Sequence, residues 1–433
     1  MPHALAAHVD SNKVSASTLS FMKTARRAIL AVMIFAIPLE HALLLADVQP
    51  EVLDPYRRWA LLLIPLDLLW IGFVVLAAPM VWRAWTSRKP SWGVVATTVT
   101  FVAMAIAYVV NPSVLGLTLI ARAAGSIAVV AVVVQFNRAE FRTFVAAPLL
   151  ATASLQSVLA LGQVLVRPVG GIERGPWTSG QGTLYHPYIL AGILLVALAV
   201  SIAVIERDRW RPLWLVGVGI TTVGISTTFS RAAALSLAFI VTAYIWGSIR
   251  NRDRYLGPLL ASVIPGAISG VYLWRGWSSA LGRTVGSGGL DRASSGRLTL
   301  MRQSLTMIAD SPVVGVGPGG YLPVLADARP DLLGSHALAV VHSVPMALGA
   351  EAGIAIGFLY LVFLAVLGVR ALRTSPAAAA VFVSLIVFII FDKFTYSNAN
   401  MILLAAVWLA SLDFLARPSD EHATVSSTDT PAR

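Results

Sequence analysis

The sequence predicts an all-α protein, a polytopic membrane helix bundle of about 12 transmembrane helices with one long non-cytoplasmic loop between the ninth and tenth. Of the 433 residues, 57% are hydrophobic and 12% are charged, whereas roughly a quarter of a soluble domain is charged. Several apolar stretches exceed the roughly 18 residues that cross a bilayer. The basic residues behind the net charge of +11 lie in short clusters between these stretches, which is typical of topology signals and not of a nucleic-acid surface.

The apolar stretches predict spans at 28–46, 59–82, 92–111, 113–136, 143–166, 185–205, 212–229, 232–249, 255–274, 345–369, 377–395 and 400–415. Lys and Arg are concentrated in alternate connections, and such a bias marks the cytoplasmic side. The sequence thus divides into a cytoplasmic tail (1–27), nine spans (28–274), an extracytoplasmic loop (275–344), three spans (345–415) and a second cytoplasmic tail (416–433). The first tail is polar and carries no cleavage signal, so we expect it to be retained.

The loop 275–344 is the feature that points to a function. Loops of this length inside a compact domain are usually functional or disordered. This one holds the apolar-periodic segment RLTLMRQSLTMIADSP, which predicts an amphipathic helix at the membrane interface. The chain has no cysteine, so thiolate nucleophiles, disulfides and cysteine metal sites are excluded.

Basic residues at the outer face are the first candidates for chemistry. Arg231 lies between two apolar spans in TTFSRAAALSLAF, where it either extends to lipid headgroups or binds a phosphate with its guanidinium. Arg297 and Arg302 lie at the start of the predicted loop helix. A phosphorylated lipid is the ligand that arginines at this depth would fit.

His342 precedes the tenth span, and Glu351 follows nine residues later. A histidine at an outer interface could accept a proton from a hydroxyl, although a lone histidine is more often structural. His336 is a competing candidate, and its spacing from His342 is not that of a helical metal site. We predict no metal and no other cofactor.

The glycines in SPVVGVGPGGY resemble a phosphate-binding loop only superficially. No strand pattern precedes them and no Gly-Lys-Ser/Thr follows, so a tight turn is the better interpretation. Within the spans, ionisable residues must be paired, neutral or next to water, and these are Glu40, Asp67, Arg122, Glu351, Asp392 and Lys393. Arg122 is expected to pair with Asp67 or Glu40.

Four motifs between about residues 170 and 370 resemble the O-antigen ligase and polymerase superfamily, in that family's order. GQGTLYHPYILAGILL is similar to its Gly-Thr-Phe-x-x-Pro-Asn-x-x-Ala segment, and TTFSRAAALSLAF to its Ser-Arg-Gly/Ala turn. RLTLMRQSLTMIADSPVVGVGPGGY resembles its Arg-led loop helix and glycine run, and VHSVPMALGAEAGIAIG its His-Asn-x-x-Leu…Glu-x-Gly ending. The family's two asparagines are replaced here by Tyr188 and Ser343.

The resemblance implies a glycosyltransferase that moves a glycan from a polyprenyl diphosphate carrier to a hydroxyl of a glycan, lipid or protein acceptor. It assigns diphosphate binding to Arg231 and Arg297 and the general base to His342. Supporting roles are expected for Glu351, Arg302 and His186. The reaction would be inverting and metal-independent, on the periplasmic side of the inner membrane, in the synthesis of cell-surface polysaccharide.

Two other classes of function stay open. A 12-helix transporter or lipid-glycan flippase would place its polar residues near the midplane and show repeat symmetry, and we find no internal repeat. A non-catalytic scaffold for envelope assembly is the third. Nucleic acid is not expected as a partner.

Overall fold

The computed structural model describes residues 2–38, 65–87, 91–166, 172–174, 177–184, 186–205, 211–251, 256–274, 277–278, 297–329, 340–391 and 399–417. Glu40, His336, Asp392 and Lys393, which the sequence marked as candidates, lie outside these residues. The described part of the chain is almost entirely helical.

The helices, in chain order, are α1 (Pro2–Ala36), α2 (Pro65–Thr86), α3 (Trp92–Val110), α4 (Val114–Val133), α5 (Arg138–Phe141), α6 (Ala147–Val166), α7 (Pro187–Val204), α8 (Arg211–Thr227), α9 (Arg231–Asn251), α10 (Leu256–Tyr272), α11 (Arg297–Asp310), α12 (Tyr321–Ala328), α13 (Val344–Ala352), α14 (Ile354–Thr374), α15 (Pro376–Phe391) and α16 (Ala399–Leu415). A π-helical segment, Arg142–Ala146, joins α5 to α6.

Seven of the described helical segments are long and apolar enough to cross a membrane, and four further apolar helices are shorter. The long ones are Leu69–Thr86, Trp92–Val110, Gly116–Val133, Arg138–Val166, Pro187–Val204, Arg231–Ile249 and Ile354–Thr374. The chain is therefore a multi-pass membrane protein. The total of 12 spans stays a prediction, because the first expected span, 28–46, extends past the described residues.

The tenth predicted span, 345–369, is not one helix. It is broken at Gly353, where φ is +96°, into the nine-residue α13 and the longer α14. A side chain at Gly353 would collide with the backbone of Val313, and the N–H of Ile354 donates to the carbonyl of Pro312 at 2.9 Å. The long loop therefore packs against the break, and glycine is the residue that permits it.

The all-α class is confirmed for the described residues, and one small addition to it was not predicted. Between α6 and α7, β1 (Ile172–Arg174) and β2 (Trp177–Ser179) form an antiparallel hairpin with Glu173 opposite Thr178. Each strand has only three residues, and Ile, Trp and Thr are residues that favour strands. A prediction made from apolar spans treats such a short connection as a loop, because segments of three residues are too short to show a hydrophobic period.

The core of the bundle is built around α7. Nearly all of its residues are buried, as expected for a helix that is apolar on every face. The Tyr244 hydroxyl of α9 donates to the carbonyl of Ala199 in α7 at 2.6 Å. Neighbouring helices thus enclose α7 on all sides, and the connecting segments are left at the two ends of the bundle.

The predicted topology places several connections on the outer side of the membrane, and these connections contact one another. Hydrogen bonds join Asn111 to Gly315 (3.0 Å), Ser113 to Pro318 (2.8 Å), Thr183 to Pro38 (2.6 Å) and Asn400 to Ile37 (2.6 Å). At the other end, polar contacts join Arg27 to Glu140, Gln135 to Met80, Arg417 to Val134 and Arg370 to Asp413. Contacts grouped at two ends are expected when successive spans cross the membrane in alternating directions. Which of the two ends faces the cytoplasm stays a prediction.

Arg122 is buried in α4, with 6% of its surface exposed. Gly125 of α4 lies against the Trp70 ring of α2, and the Gln135 amide donates to the carbonyl of Met80 at 3.0 Å. These two contacts fix a parallel register that brings position 67 of α2 level with Arg122. The expected pairing of Arg122 with Asp67 stays a prediction.

Candidate functional site

The segment predicted to form an amphipathic loop helix is α11, and the helix is confirmed. Leu300, Ser304 and Met307 are buried along one face, at the spacing of a helix that packs on one side. Leu300 and Met307 belong to a small cluster with Val341, which precedes α13, and Ala347 within it. The loop helix is thus held by the segment that contains His342.

The two helices run parallel. The Tyr321 hydroxyl lies 3.5 Å from the carbonyl oxygen of Leu300 and is also hydrogen-bonded to the backbone of Val341. Further along, the Ser304 hydroxyl donates to the carbonyl of Met346 at 3.3 Å. Leu300 is therefore level with Val341. Arg297, one turn before Leu300, begins α11 at the same end of the pair at which His342 precedes α13.

His342 occupies the centre of a three-residue turn. The N–H of Ser343 donates to the carbonyl of Val341 at 2.9 Å, which is the hydrogen bond of a γ-turn. Val341 and Ser343 are buried, and His342 is half-buried. The buried neighbours fix the backbone of His342, and Nδ1 of its ring is buried.

Glu351 is buried in the last turn of α13, with 2% of its surface exposed. Its carboxylate accepts hydrogen bonds from the backbone N–H groups of Gly319 (2.9 Å) and Tyr321 (3.2 Å). Tyr321 is the first residue of α12, and a carboxylate at a helix N-terminus is favoured by the helix dipole. Glu351 therefore connects α13 to the glycine-rich part of the loop.

The glycine run is a tight turn. Gly315, Gly317 and Gly319 all have positive φ angles, of 65°, 87° and 73°, which residues with a side chain rarely adopt. The N–H groups of Val316 and Gly317 donate to carbonyls of α13, at 2.9 and 3.0 Å. Because these donors bind the protein's own backbone, the run is occupied with packing the loop and does not form a phosphate cradle.

Arg231 begins α9 and is exposed. The preceding Ser230 caps the helix, since its hydroxyl accepts from the N–H of Ala233 at 3.3 Å. Phe229 has a φ of +49°, a strained conformation for a bulky residue that persists only where surrounding contacts enforce it. Its buried ring packs edge-on against Trp277, with centroids 5.9 Å apart.

The connection before α7 is held by two glutamines that the sequence analysis did not single out. Gln163 and Gln156 of α6 both bind the backbone of the turn 180–183. They are seven residues apart and share one helix face. The sequence signal that could have identified these two residues is a pair of amide side chains on one face of a mostly apolar span.

The remaining two candidates have different surroundings. His186 caps α7: its Nδ1 lies 3.4 Å from the N–H of Tyr188, and the two rings are 4.0 Å apart. Arg302 lies on the exposed face of α11. The geometry thus brings Arg297, His342 and the turn held by Glu351 into one unit, and places Arg231 at a separate helix break. That Arg231 converges on this unit stays a prediction.

An apolar cavity of about 120 Å³ lies within the bundle beside this unit. It is lined by Thr97 and Met104 of α3, Val344 and Leu348 of α13 and Tyr360 of α14, together with residues of α4 and α16. Val344, one of its lining residues, is two positions after His342 in the chain. In the part of the chain that the structure describes, no three His, Asp or Glu side chains come together in a way that could hold a metal ion.

The fold and these residues define a multi-pass membrane protein with an ordered loop unit built on helices α11–α13. Residues 216–362, about a third of the chain, match the family model described as O-antigen ligase. The matched segment contains Arg231, Arg297, Arg302, His342 and Glu351, and the predicted resemblance to the O-antigen ligase and polymerase superfamily is confirmed over it. His186 lies outside the match. No curated protein matches the chain.

Proposed function

We propose that this protein is a membrane glycosyltransferase that moves a glycan from a polyprenyl diphosphate carrier to a hydroxyl acceptor. The observation that carries the proposal is the parallel α11–α13 pair, which brings the start of the Arg297 helix and the His342 turn to one end, inside the O-antigen ligase match. We place the unit formed by α11–α13 on the periplasmic side of the inner membrane, in the synthesis of cell-surface polysaccharide.

In the proposed reaction, His342 takes the proton of the acceptor hydroxyl as its oxygen attacks the anomeric carbon of the donor. The bond from that carbon to the diphosphate oxygen breaks, and the electron pair leaves with the carrier diphosphate. Arg231 and Arg297 stabilise the negative charge on the leaving group. This electrostatic stabilisation is strongest in a site that excludes water. Direct displacement inverts the anomeric centre and needs no metal.

The support from the remaining residues is mostly structural. Glu351 holds the glycine-rich turn, and that turn is also bound to the last residues of α13, the helix that follows the His342 turn. The apolar cavity beside α13 agrees with a substrate that has a hydrocarbon part.

Transfer from a polyprenyl diphosphate glycan by the protein in proteoliposomes tests the proposal. We expect Arg231→Ala, Arg297→Ala and His342→Ala each to abolish most product while the protein still inserts and folds. Normal product from all three variants would refute the assignment. The same vesicles test the transporter alternative, because a glycosyltransferase gives no substrate-dependent flux in the absence of acceptor.

The acceptor class is tested in cells that lack the protein. Single unextended repeats on the lipid carrier would identify a polymerase, because extension is then the missing step. Long unattached chains would identify a ligase. Lipid-linked glycans that stay unchanged in amount and length would argue against both.

A further inference from the structure

We propose that Gln163 is a positioning residue for Arg231, acting through the turn formed by residues 180–183. The role in catalysis rests on the proposed function, in which Arg231 binds the diphosphate. The physical link between Gln163 and the start of α9 is independent of that function, because it consists of contacts in the structure.

The amide of Gln163 is fully engaged by the turn. Its Oε1 accepts from the N–H groups of Gln181 and Gly182, both at 2.9 Å, and its Nε2 donates to the carbonyl of Gly182 at 2.6 Å. One side chain thus replaces the pairing that a neighbouring strand would supply. Two turns earlier, Gln156 Oε1 accepts from the N–H of Thr183 at 2.8 Å.

The turn lies directly on the end of α8. The N–H of Gly180 donates to the carbonyl of Thr227 at 2.9 Å. A Cβ at Gly180 would come within 2.7 Å of both the Thr227 hydroxyl oxygen and the carbonyl oxygen of Ala160. The approach therefore needs glycine, and the turn fits between α6 and the last residue of α8 without space to shift.

Thr227 is separated from Arg231 by the strained break alone. Phe229, two residues later, has the left-handed φ of +49°, and such a conformation is retained only when contacts on both sides enforce it. Trp277 supplies the contact on the Phe229 ring, and its indole N–H donates to the carbonyl of Ser226 at 3.1 Å. The turn held by Gln163 supplies the contact on Thr227.

These contacts form one continuous path from Gln163 to the first residue of α9. Removing the Gln163 amide deprives three backbone groups of the turn of their partners, which costs more than the bonds themselves when the groups are buried. The turn then loosens its contact with Thr227, and the break before Arg231 gains freedom. A guanidinium displaced by about 1 Å can lose roughly a hundredfold in rate when it must meet a developing charge.

The chain contains no cysteine, so a single introduced thiol reports on the break without interference. Ala232 follows Arg231 and is half-buried. In membranes, we expect maleimide to label Ala232→Cys slowly, and to label it severalfold faster when Gln163→Leu is added. Gln135→Leu is the matched control, because Gln135 also bonds two carbonyls by its amide, at the opposite end of the bundle.

The kinetic measurement uses the protein without an introduced cysteine. For Gln163→Leu we expect kcat for transfer from the polyprenyl diphosphate donor to fall roughly tenfold to a hundredfold with little change in KM, because Arg231 acts on charge that develops in the transition state. The pH profile should stay unchanged because His342 is untouched. Gln163→Glu keeps an acceptor for both N–H groups but sets a second oxygen against the carbonyl of Gly182 in place of the donor, so it should also loosen the turn, with faster labelling and slower transfer than wild type. It also carries the test if Gln163→Leu does not fold.

Unchanged labelling in both Gln163 variants would overturn the inference. Equal acceleration in Gln135→Leu would overturn it too, since the effect would then be general loosening. If Arg231→Ala transfers glycan normally, the proposed role of Arg231 in binding the diphosphate fails, and the labelling rates still decide whether Gln163 positions the break.

Discussion

The carboxylate of Glu351 accepts a 2.9 Å hydrogen bond from the backbone N–H of Gly319 and thereby joins a short helix to a turn 32 positions earlier in the chain. We expect Glu351→Ala to lower the stability of the folded protein by roughly 3 kcal/mol, because two buried N–H groups lose a charged acceptor. Thermal unfolding in detergent measures this.

Glu351→Gln retains one acceptor oxygen and should lose less stability than Glu351→Ala. Asp310→Asn is the control, since Asp310 is exposed at the end of α11. An unfolding midpoint for Glu351→Ala equal to that of the control would show that the carboxylate does not hold the turn.

Arg297 and Arg302 provide a matched pair on one helix. We expect Arg297→Ala to lower kcat/KM for transfer by roughly a hundredfold or more, because a group that stabilises the leaving diphosphate is lost. Arg297→Lys should recover part of the rate, since lysine keeps the charge without the bidentate geometry. Arg302→Ala should lose less activity than Arg297→Ala, because Arg302 has only a supporting role and lies a turn further along α11. Equal losses at both positions would point to a diffuse effect of charge.

The two histidines are expected to differ in the kind of loss they cause. His342→Ala should lower kcat by roughly 10²- to 10⁴-fold, the contribution of a general base, with little change in thermal stability. His186→Ala removes a helix cap and should cost about 1 kcal/mol of stability, with a much smaller loss of transfer than His342→Ala. Measuring kcat and the unfolding midpoint for both variants tests the assignment, and the reverse pattern would contradict it.

Tyr321 makes the loop unit sensitive to high pH. Burial raises its pKa to about 12, against hydrogen bonds from Ser304 and the Val341 backbone that lower it. The unfolded tyrosine loses its proton near pH 10 and the folded one only near pH 12, so stability falls between these values, by roughly 1.4 kcal/mol per pH unit. Below pH 10 the contribution is complete.

Unfolding followed from pH 9 to pH 12 measures this loss, and Tyr321→Phe should remove that part of the slope. The variant also loses the hydroxyl that bridges Leu300 and Val341, so it should be less stable than wild type below pH 10. An identical pH slope in the two proteins would assign the alkaline loss to other groups.

The register of α2 and α4 predicts an energetic coupling between Asp67 and Arg122. We expect Arg122→Ala and Asp67→Ala each to destabilise the protein, and the double variant to lose less than the sum, with a coupling of roughly 1–3 kcal/mol. A double-mutant cycle on the unfolding free energy measures it. Additive losses would assign Arg122 to another partner.

Much of the architecture could be predicted because apolar length alone determines where a helix can cross a bilayer. The α11 helix followed from its amphipathic period, and the tight turn at Gly315–Gly320 from the absence of any strand before it. The helix break at Gly353 could not be predicted from apolar length or from the hydrophobic period. A glycine among alanines in an apolar run is compatible with a continuous helix, and its φ is dictated by the distant Pro312–Val313 backbone.

The candidate site was predicted in part for a related reason. Arg297 and His342 have charges and spacings that a sequence displays, whereas the parallel pairing of their helices depends on contacts between segments about 40 residues apart. Gln163 contacts a turn 18 to 19 residues later, and the strain at Phe229 arises from Trp277 and its surroundings. No local pattern contains such information, because these conformations are enforced by tertiary packing.

Gly353 also has a consequence for biogenesis. By ending α13 before the next long span begins, it lets α13 pack against α11 while α14 continues as an apolar helix long enough to cross the membrane. The chain emerges from the ribosome amino end first, so α11 and its glycines are translated before the partner that buries them exists. Completion of the loop unit therefore awaits synthesis of α13, and a nascent chain truncated before residue 340 would leave an apolar face of α11 without cover, a target for quality-control proteases.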